Sequence, residues 1–329
     1  MPTTKPTLRR MLQLAALIPL LALPGLALAQ VPKDKGPLKL VVGFPAGGSA
    51  DVAARQLADR LKDELGMPVI VENRAGAGGQ IAAEYVKAQA GDGLTVMLGT
   101  HHMMVVLPMV VASAKYDPVK DFKSIGRLAT FRECLAVPMS SPANTVAQWL
   151  ELAKTDTKAA SYGVPAPGSL PQFMGYLIGQ TVGVKVVPVP YRGAAPVTQD
   201  LLGAQLGAGV IPVADLIQYH GNKVKILAVN GSQRTPLLPQ VPTFKELGVP
   251  QFDDLEWVGL FLPASASAAT VAQLEAAMQK VSGAKELRES FGGIGMEVDF
   301  SPGATMGARI QAEAAKWAPV VKSSGFVAQ

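Results

Sequence analysis

The sequence predicts an α/β protein with two successive strand–helix series. Three observations carry that reading. First, Leu38-Lys39-Leu40-Val41-Val42 and Pro68-Val69-Ile70-Val71 are short runs rich in β-branched residues, and each ends in a glycine-rich turn that opens an amphipathic segment. The turns are Gly43-Phe44-Pro45-Ala46-Gly47-Gly48-Ser49-Ala50-Asp51 and Asn73-Arg74-Ala75-Gly76-Ala77-Gly78-Gly79. Second, strand, helix, strand, helix, strand with short connections is the signature of a parallel sheet covered by helices. Third, a similar series recurs between residues 159 and 229. The chain has 329 residues, 49% hydrophobic and 17% charged, with 33 Gly and 26 Pro. That composition gives a sizeable core with many turns, and it excludes disorder and coiled coil.

Residues 1–29 are set aside as a cleavable signal peptide. Lys5, Arg9 and Arg10 form a basic n-region, Met11 to Leu23 is apolar, and Ala27-Leu28-Ala29 is a small-x-small cleavage site. Pro19 and Pro24 interrupt the apolar run, which argues against a spanning helix. Export to the periplasm is expected by the Sec route, with Arg9-Arg10 leaving the twin-arginine route open. Removing the leader leaves 27 basic against 25 acidic side chains, a net charge of about +2. No basic stripe interleaved with aromatics is present, so no nucleic-acid partner is expected. Cys134 is the single cysteine, which excludes an internal disulfide and a cysteine-based metal site.

In chain order, the helix after the first turn carries Val52, Leu57, Leu61 and Leu65 as its apolar stripe. Ser49 or Asp51 is its expected cap, and Gly66 its end. The second helix is expected to bury Ile81, Tyr85 and Ala88. Leu94 to Leu98 is the third strand, running into Gly99-Thr100-His101-His102. Ile125 to Val137 reads as an extended crossing into the second series. There, a helix over 145–153 with Asn144 as cap precedes strand 159–164, helix 171–181, strand 185–189, helix 195–202, strand 205–210, helix 214–219 and strand 224–229. After a turn-rich stretch come strand 255–262, helices 268–281 and 285–291, strand Glu297-Val298, and a long helix starting at Ser301-Pro302. The first unit is therefore discontinuous, 30–130 with 253–329, and the second is 131–252.

Ligands of open α/β sheets sit beyond the carboxyl ends of the strands. Helix N-termini with glycine-rich approaches present unpaired N–H groups to anions. Gly47, Gly48 and Ser49 can offer such groups from one turn, and Ala77, Gly78 and Gly79 from the other. Thr100 and His101 are expected near the same crevice, with His102 and His220 structural. Arg192, at a strand end of the second series, is the candidate partner for a distal carboxylate. Two enzyme readings compete. A hydrolase lacks any Gly-x-Ser-x-Gly elbow or His-Glu-x-x-His motif here. A dinucleotide enzyme would use Gly43, Gly47, Gly48 and Glu72, but Gly-x-x-x-Gly-Gly is not the Gly-x-Gly-x-x-Gly fingerprint. No catalytic residue, metal or cofactor is expected.

The chain resembles the Bug proteins, TctC-like extracytoplasmic solute receptors of tripartite tricarboxylate transporters. The resemblance covers the mature chain and rests on residues 41–51, 71–79, Gly91-Asp92-Gly93-Leu94-Thr95, Tyr116-Asp117-Pro118 with Asp121-Phe122, Val189-Pro190-Tyr191-Arg192-Gly193, Val241-Pro242-Thr243-Phe244 and Lys316-Trp317. It implies a two-lobe, type II, flytrap-like periplasmic binding protein, monomeric, with each lobe a mostly parallel sheet flanked by helices. It implies a small organic carboxylate in the inter-lobe cleft, held either for delivery to a transporter permease as partner or for sensing. By the same resemblance, the first lobe grips the carboxylate with Phe44, Ala46, Gly47, Gly48, Ser49 and Asp51 and with Gly76, Ala77, Gly78 and Gly79. The second lobe reads the far part of the ligand with Val164, Pro165, Gly168, Ser169, Tyr191, Arg192 and Ile211. Ile211-Pro212 and Val164-Pro165-Ala166-Pro167-Gly168 are less polar than the family usually shows, which favours an apolar monocarboxylate over citrate or an amino acid. Valine at Gly48 or Gly78 is expected to abolish binding and leave the fold intact.

Overall fold

The computed structural model describes Met1 and residues 31–326. The leader reading therefore falls outside the described residues, Met1 apart. The strand β1 (Leu38–Val42) leads through helix α1 (Ser49–Leu65) to β2 (Val69–Asn73), then through α2 (Gln80–Lys87) to β3 (Thr95–Thr100). A π-helical segment, His102–Val106, continues as the short α3 (Leu107–Val110). Next, β4 (Phe122–Phe131) and β5 (Glu133–Pro138) are separated only by Arg132, yet they lie in different sheets. This is the expected extended crossing.

The second series is α4 (Val146–Ala153), β6 (Ser161–Val164), α5 (Leu170–Gln180), β7 (Val187–Pro190), α6 (Ala194–Leu202), β8 (Ala208–Pro212) and β9 (Val224–Val229). The chain then returns with β10 (Glu256–Pro263), α7 (Ala268–Gly283), α8 (Lys285–Gly293), β11 (Met296–Pro302) and α9 (Met306–Ser323). The first sheet has the order β11-β4-β10-β3-β1-β2 and the second β7-β6-β8-β5-β9. The α/β fold class stands. Each sheet is mixed: β2-β1-β3 and β7-β6-β8 are parallel blocks, and the crossing and returning strands add antiparallel pairs. Parallel neighbours need a helical crossover, whereas β4, β5 and β10 arrive by direct crossing and are free to run antiparallel.

Apolar periodicity explains most elements. In α1, Ala53, Ala54, Leu57, Ala58, Leu61 and Leu65 are buried on one stripe, and Val52 is half-buried beside it. Gly66 ends the helix in the left-handed region and donates to Lys62 O at 3.0 Å. One apolar core runs from the first sheet into the second, joining Val41, Met97, Trp257 and Phe261 to Tyr162, Phe173, Met174 and Phe244.

Several local expectations are corrected. The N-cap of α1 is Gly48, since Ser49 already has helical conformation and Asp51 lies inside the first turn. In α2, Ala82, Ala83 and Val86 are the buried residues, Tyr85 is half-buried against the core, and Ile81 and Ala88 are exposed; the two alanines allow a close approach to the sheet, and Tyr85 stacks under the Arg74 guanidinium at 3.4 Å. Residues 214–219 form two 3-10 turns, Val213–Asp215 and Ile217–Tyr219, rather than an α-helix. Ser301 and Pro302 extend the edge strand β11 against Arg127 and Gly126, so the last helix begins at Met306.

The cap of α4 is Thr145, whose Oγ1 accepts the Gln148 N–H at 3.2 Å, rather than Asn144. Thr145→Ala is expected to cost about 1 kcal/mol. Urea unfolding checks it: the midpoint should fall with an unchanged slope, and an unmoved midpoint would refute the cap's contribution.

Candidate functional site

The carboxyl ends of β1, β2, β6 and β7 lead into loops that face one another across a cleft. Two adjoining chambers occupy it. One, of about 100 Å³, is mostly apolar and is bounded by Phe44, Gly48, Ser49, Thr100 and His102 on the first-sheet side and by Pro165, Ala166, Ser169, Arg192 and Pro212 on the second. Phe131, Glu133, Glu256 and Met296 also line it. The other, of about 650 Å³, lies between Gly76, Ala77 and Gly78 and the loop Pro190 to Gly193. Phe44, Pro45, Pro165, Ala166, Arg192 and Gly193 border both.

The two glycine turns touch backbone to backbone. A Cβ on Gly43 would stand 2.9 Å from Gly79 Cα, so only glycine permits that approach. The second turn holds three consecutive residues at positive φ, Ala77 (46°), Gly78 (65°) and Gly79 (100°). For Ala77 this backbone costs about 1–2 kcal/mol, and such strain clusters at binding turns. The first turn is stapled from below by Asp51, which is 3% exposed. Its carboxylate accepts the Gly47 N–H at 2.9 Å, Asn73 Nδ2 at 2.9 Å and Arg55 Nε at 3.0 Å. Burial pushes its pKa up, but these donors and the Arg55 charge outweigh burial and hold it below the ordinary value.

Twelve of the expected residues border the cleft or its edge. Phe44, Gly48, Ser49, Thr100, Pro165, Ser169 and Arg192 line the apolar chamber. Gly76, Ala77, Gly78 and Tyr191 line the other, and Gly47 borders a recess beside Ser49 and Asp215. The other seven expected residues border none of these three spaces. Ala46 is exposed on the turn, and Asp51 lies under it. Gly79 is packed on Met103, and Gly168 on Val110 and Phe326. Val164 and Ile211 are fully buried in the core.

His101 is the seventh, and the two histidines exchange the expected places. The chain turns helical at His101, which swings its ring away from the cleft. It lies 3.1 Å from Glu256 and 3.5 Å from Glu313, edge-on to Trp257. Burial lowers its pKa, and the two carboxylates more than reverse that. His102 lines the apolar chamber instead. Burial and the neighbouring His101 depress its pKa to about 3, so its imidazole is neutral.

Sequence reasoning missed three acids. Glu133 and Glu256 are each 3% exposed and both line the apolar chamber. Burial, with Glu256 and Asp215 nearby, pushes the Glu133 pKa well above the carboxylate range. Asp215, after β8, accepts the hydroxyl of Ser49, after β1, at 3.1 Å, so this bond ties the two sheets together across the cleft. Burial pushes its pKa up to about 6 despite the Ser49 hydroxyl and N–H facing it. The signal was present for Glu133 and Glu256: each is a lone charge opening an otherwise apolar strand, Glu133-Cys134-Leu135-Ala136-Val137 and Glu256-Trp257-Val258.

The arrangement suits binding. Arg192 is exposed, borders both chambers and has no ion-pair partner among the described residues. Among the described residues no serine or cysteine of the cleft is hydrogen-bonded to a histidine, the geometry nucleophilic catalysis needs. The Cys134 thiol is buried, its pKa raised by burial, and it donates to Ile211 O.

Comparison with known proteins agrees with this geometry. The family described as "Tripartite tricarboxylate transporter family receptor" matches residues 53–326. The "UPF0065 protein in gbd 5'region" of Cupriavidus necator is 34% identical, over 82% of each chain. The periplasmic binding protein BugD is 28% identical and superposes with a TM-score of 0.83, over 90% of this chain and 99% of BugD. Rpa4515 of R. palustris, solved with adipate, is 29% identical with a TM-score of 0.85, over 91% of this chain and all of its own. The chain belongs to the tripartite tricarboxylate transporter receptor family, with the two-lobe fold of the Bug periplasmic binding proteins.

Proposed function

We propose that this chain is an extracytoplasmic solute receptor that binds a small organic carboxylate in its cleft, without catalysis. Lobe one comprises 30–130 and 253–329, and lobe two 131–252. The observation that carries the reading is the pair of touching glycine turns facing Arg192 across one cleft. The turns supply N–H groups and helix N-terminal charge, and the guanidinium supplies a countercharge. The adipate bound by Rpa4515 supports the ligand class. The mostly apolar chamber favours a monocarboxylate over citrate. The family and the leader pattern support export to the periplasm and delivery to a membrane permease of the tripartite type.

Thermal unfolding with a carboxylate panel tests this. A cognate acid at a hundredfold excess over its dissociation constant should stabilise the protein by about 2.7 kcal/mol, with no turnover on esters. A flat panel, or saturable ester hydrolysis, would overturn the proposal.

A further inference from the structure

We infer that the apolar chamber selects a carboxylate whose far end carries an ammonium group, received by Glu133 and Glu256. This rests on the carboxylate reading of the cleft and narrows it. Glu133 opens β5 and Glu256 opens β10. Register brings them together: Glu256 pairs with Phe131 on β4, two positions before Glu133.

Three side chains of this chamber, besides Glu256, carry buried polar atoms that lack hydrogen-bond partners among the described residues. These atoms are Glu133 Oε2, Ser169 Oγ at 2% residue exposure, and both ring nitrogens of His102. Glu256 has a partial partner in His101, 3.1 Å away. Unsatisfied buried groups cost about 1–3 kcal/mol each, so this corner of an otherwise apolar chamber favours one polar group on the guest.

Charge decides which guest. Arg192 is the sole Lys or Arg lining the chamber among the described residues, and it sits on the exposed loop after β7. His102 is neutral and supplies no countercharge. A second carboxylate at this end would be buried against Glu133 and Glu256, and the nearest basic group, His101, is already engaged by Glu256 and Glu313. A methyl terminus would leave Glu133 Oε2 and Ser169 Oγ unsatisfied. An ammonium has three donors, enough for Glu133, Glu256 and the Ser169 hydroxyl, and its charge opposes the burial cost that raises the Glu133 pKa. The ligand class is therefore an ω-aminocarboxylate, with the carboxylate towards the glycine turns and Arg192.

Isothermal titration of the mature chain tests the assignment. The probes are matched n-alkanoates, α,ω-dicarboxylates and ω-aminocarboxylates of about three to six carbons. The best aminocarboxylate should bind about tenfold or more tighter than the alkanoate and dicarboxylate of its length. Glu133→Gln should collapse that ratio, with circular dichroism confirming the fold; Ser169→Ala should reduce it if Glu133→Gln does not fold. A dicarboxylate that binds more tightly at every length, or a ratio unchanged in the folded variants, overturns the inference and leaves the carboxylate receptor standing. Binding by no member of the three series overturns both.

Discussion

Gly48→Val is expected to lower ligand affinity by about a hundredfold or more while the protein stays folded. Gly48 is the N-cap of α1 and lines the apolar chamber. Its backbone, φ −79° and ψ 166°, is one that valine adopts freely. A Cβ there meets nothing closer than Pro45 O at 3.8 Å. The added isopropyl group therefore occupies cleft space without displacing protein, where an anion would approach the helix end. Losing glycine at an N-cap for a branched side chain costs about 1 kcal/mol, a shift of a few degrees in Tm. Gly78→Val does not give the same clean result. Gly78 has φ +65°, and its Cβ would stand 2.7 Å from His102 Nε2. That variant strains the turn and moves His102, so lost binding would not separate cradle from fold. Calorimetry with the best ligand from the panel, beside a melting curve, checks the first prediction. Undiminished affinity in a folded Gly48→Val protein would remove the backbone cradle.

Much of this was legible because it is local. The glycine turns, the α1 stripe and β1, β2, β6 and β9 follow from periodicity and turn chemistry within a dozen residues. The direct crossing from β4 to β5 was visible as a long apolar run. What escaped depends on pairing between distant segments. β10 enters between β3 and β4 and makes the first sheet mixed, and nothing near residue 256 announces its neighbours. Ser301-Pro302 carries a good helix-start pattern, but pairing with β4 claims those residues for a strand. The site divides the same way. The residues of the two turns were identifiable from glycine spacing. Glu133 and Glu256 each stand out locally as a lone charge opening an apolar strand, but that they and Asp215 become neighbours is decided only when the two sheets fold against one another. The histidine exchange has the smallest cause: one residue's difference in where β3 gives way to helix.

Asp215→Asn is expected to stabilise the protein at pH 7.5 by up to about 3 kcal/mol and to leave its stability near pH 4 little changed. The folded pKa of Asp215 is about 6, raised from 3.8 by burial. An acid with a raised folded pKa stabilises the fold fully below pH 3.8, and that contribution is lost as pH rises through 6. At neutral pH the ionised carboxylate is therefore a cost to the fold. The figure is an upper bound, because Asp215 is half-buried and keeps some exposed surface that screens its charge. Asparagine removes the titration and keeps an oxygen to accept the Ser49 hydroxyl. Asp51 slopes the other way: its depressed pKa gives stability that is present above 3.8 and lost as pH falls through the folded value. The variant must therefore be compared with the parent at each pH, so that Asp51 and the other acids cancel. Denaturant unfolding of both proteins between pH 4 and 7.5 gives the difference curve. It should rise between pH 4 and 6 and then flatten. A flat difference, or a variant less stable than the parent at pH 7.5, would show that Asp215 is favourably ionised, and that the bond from Ser49 strengthens rather than weakens as the carboxylate loses its proton.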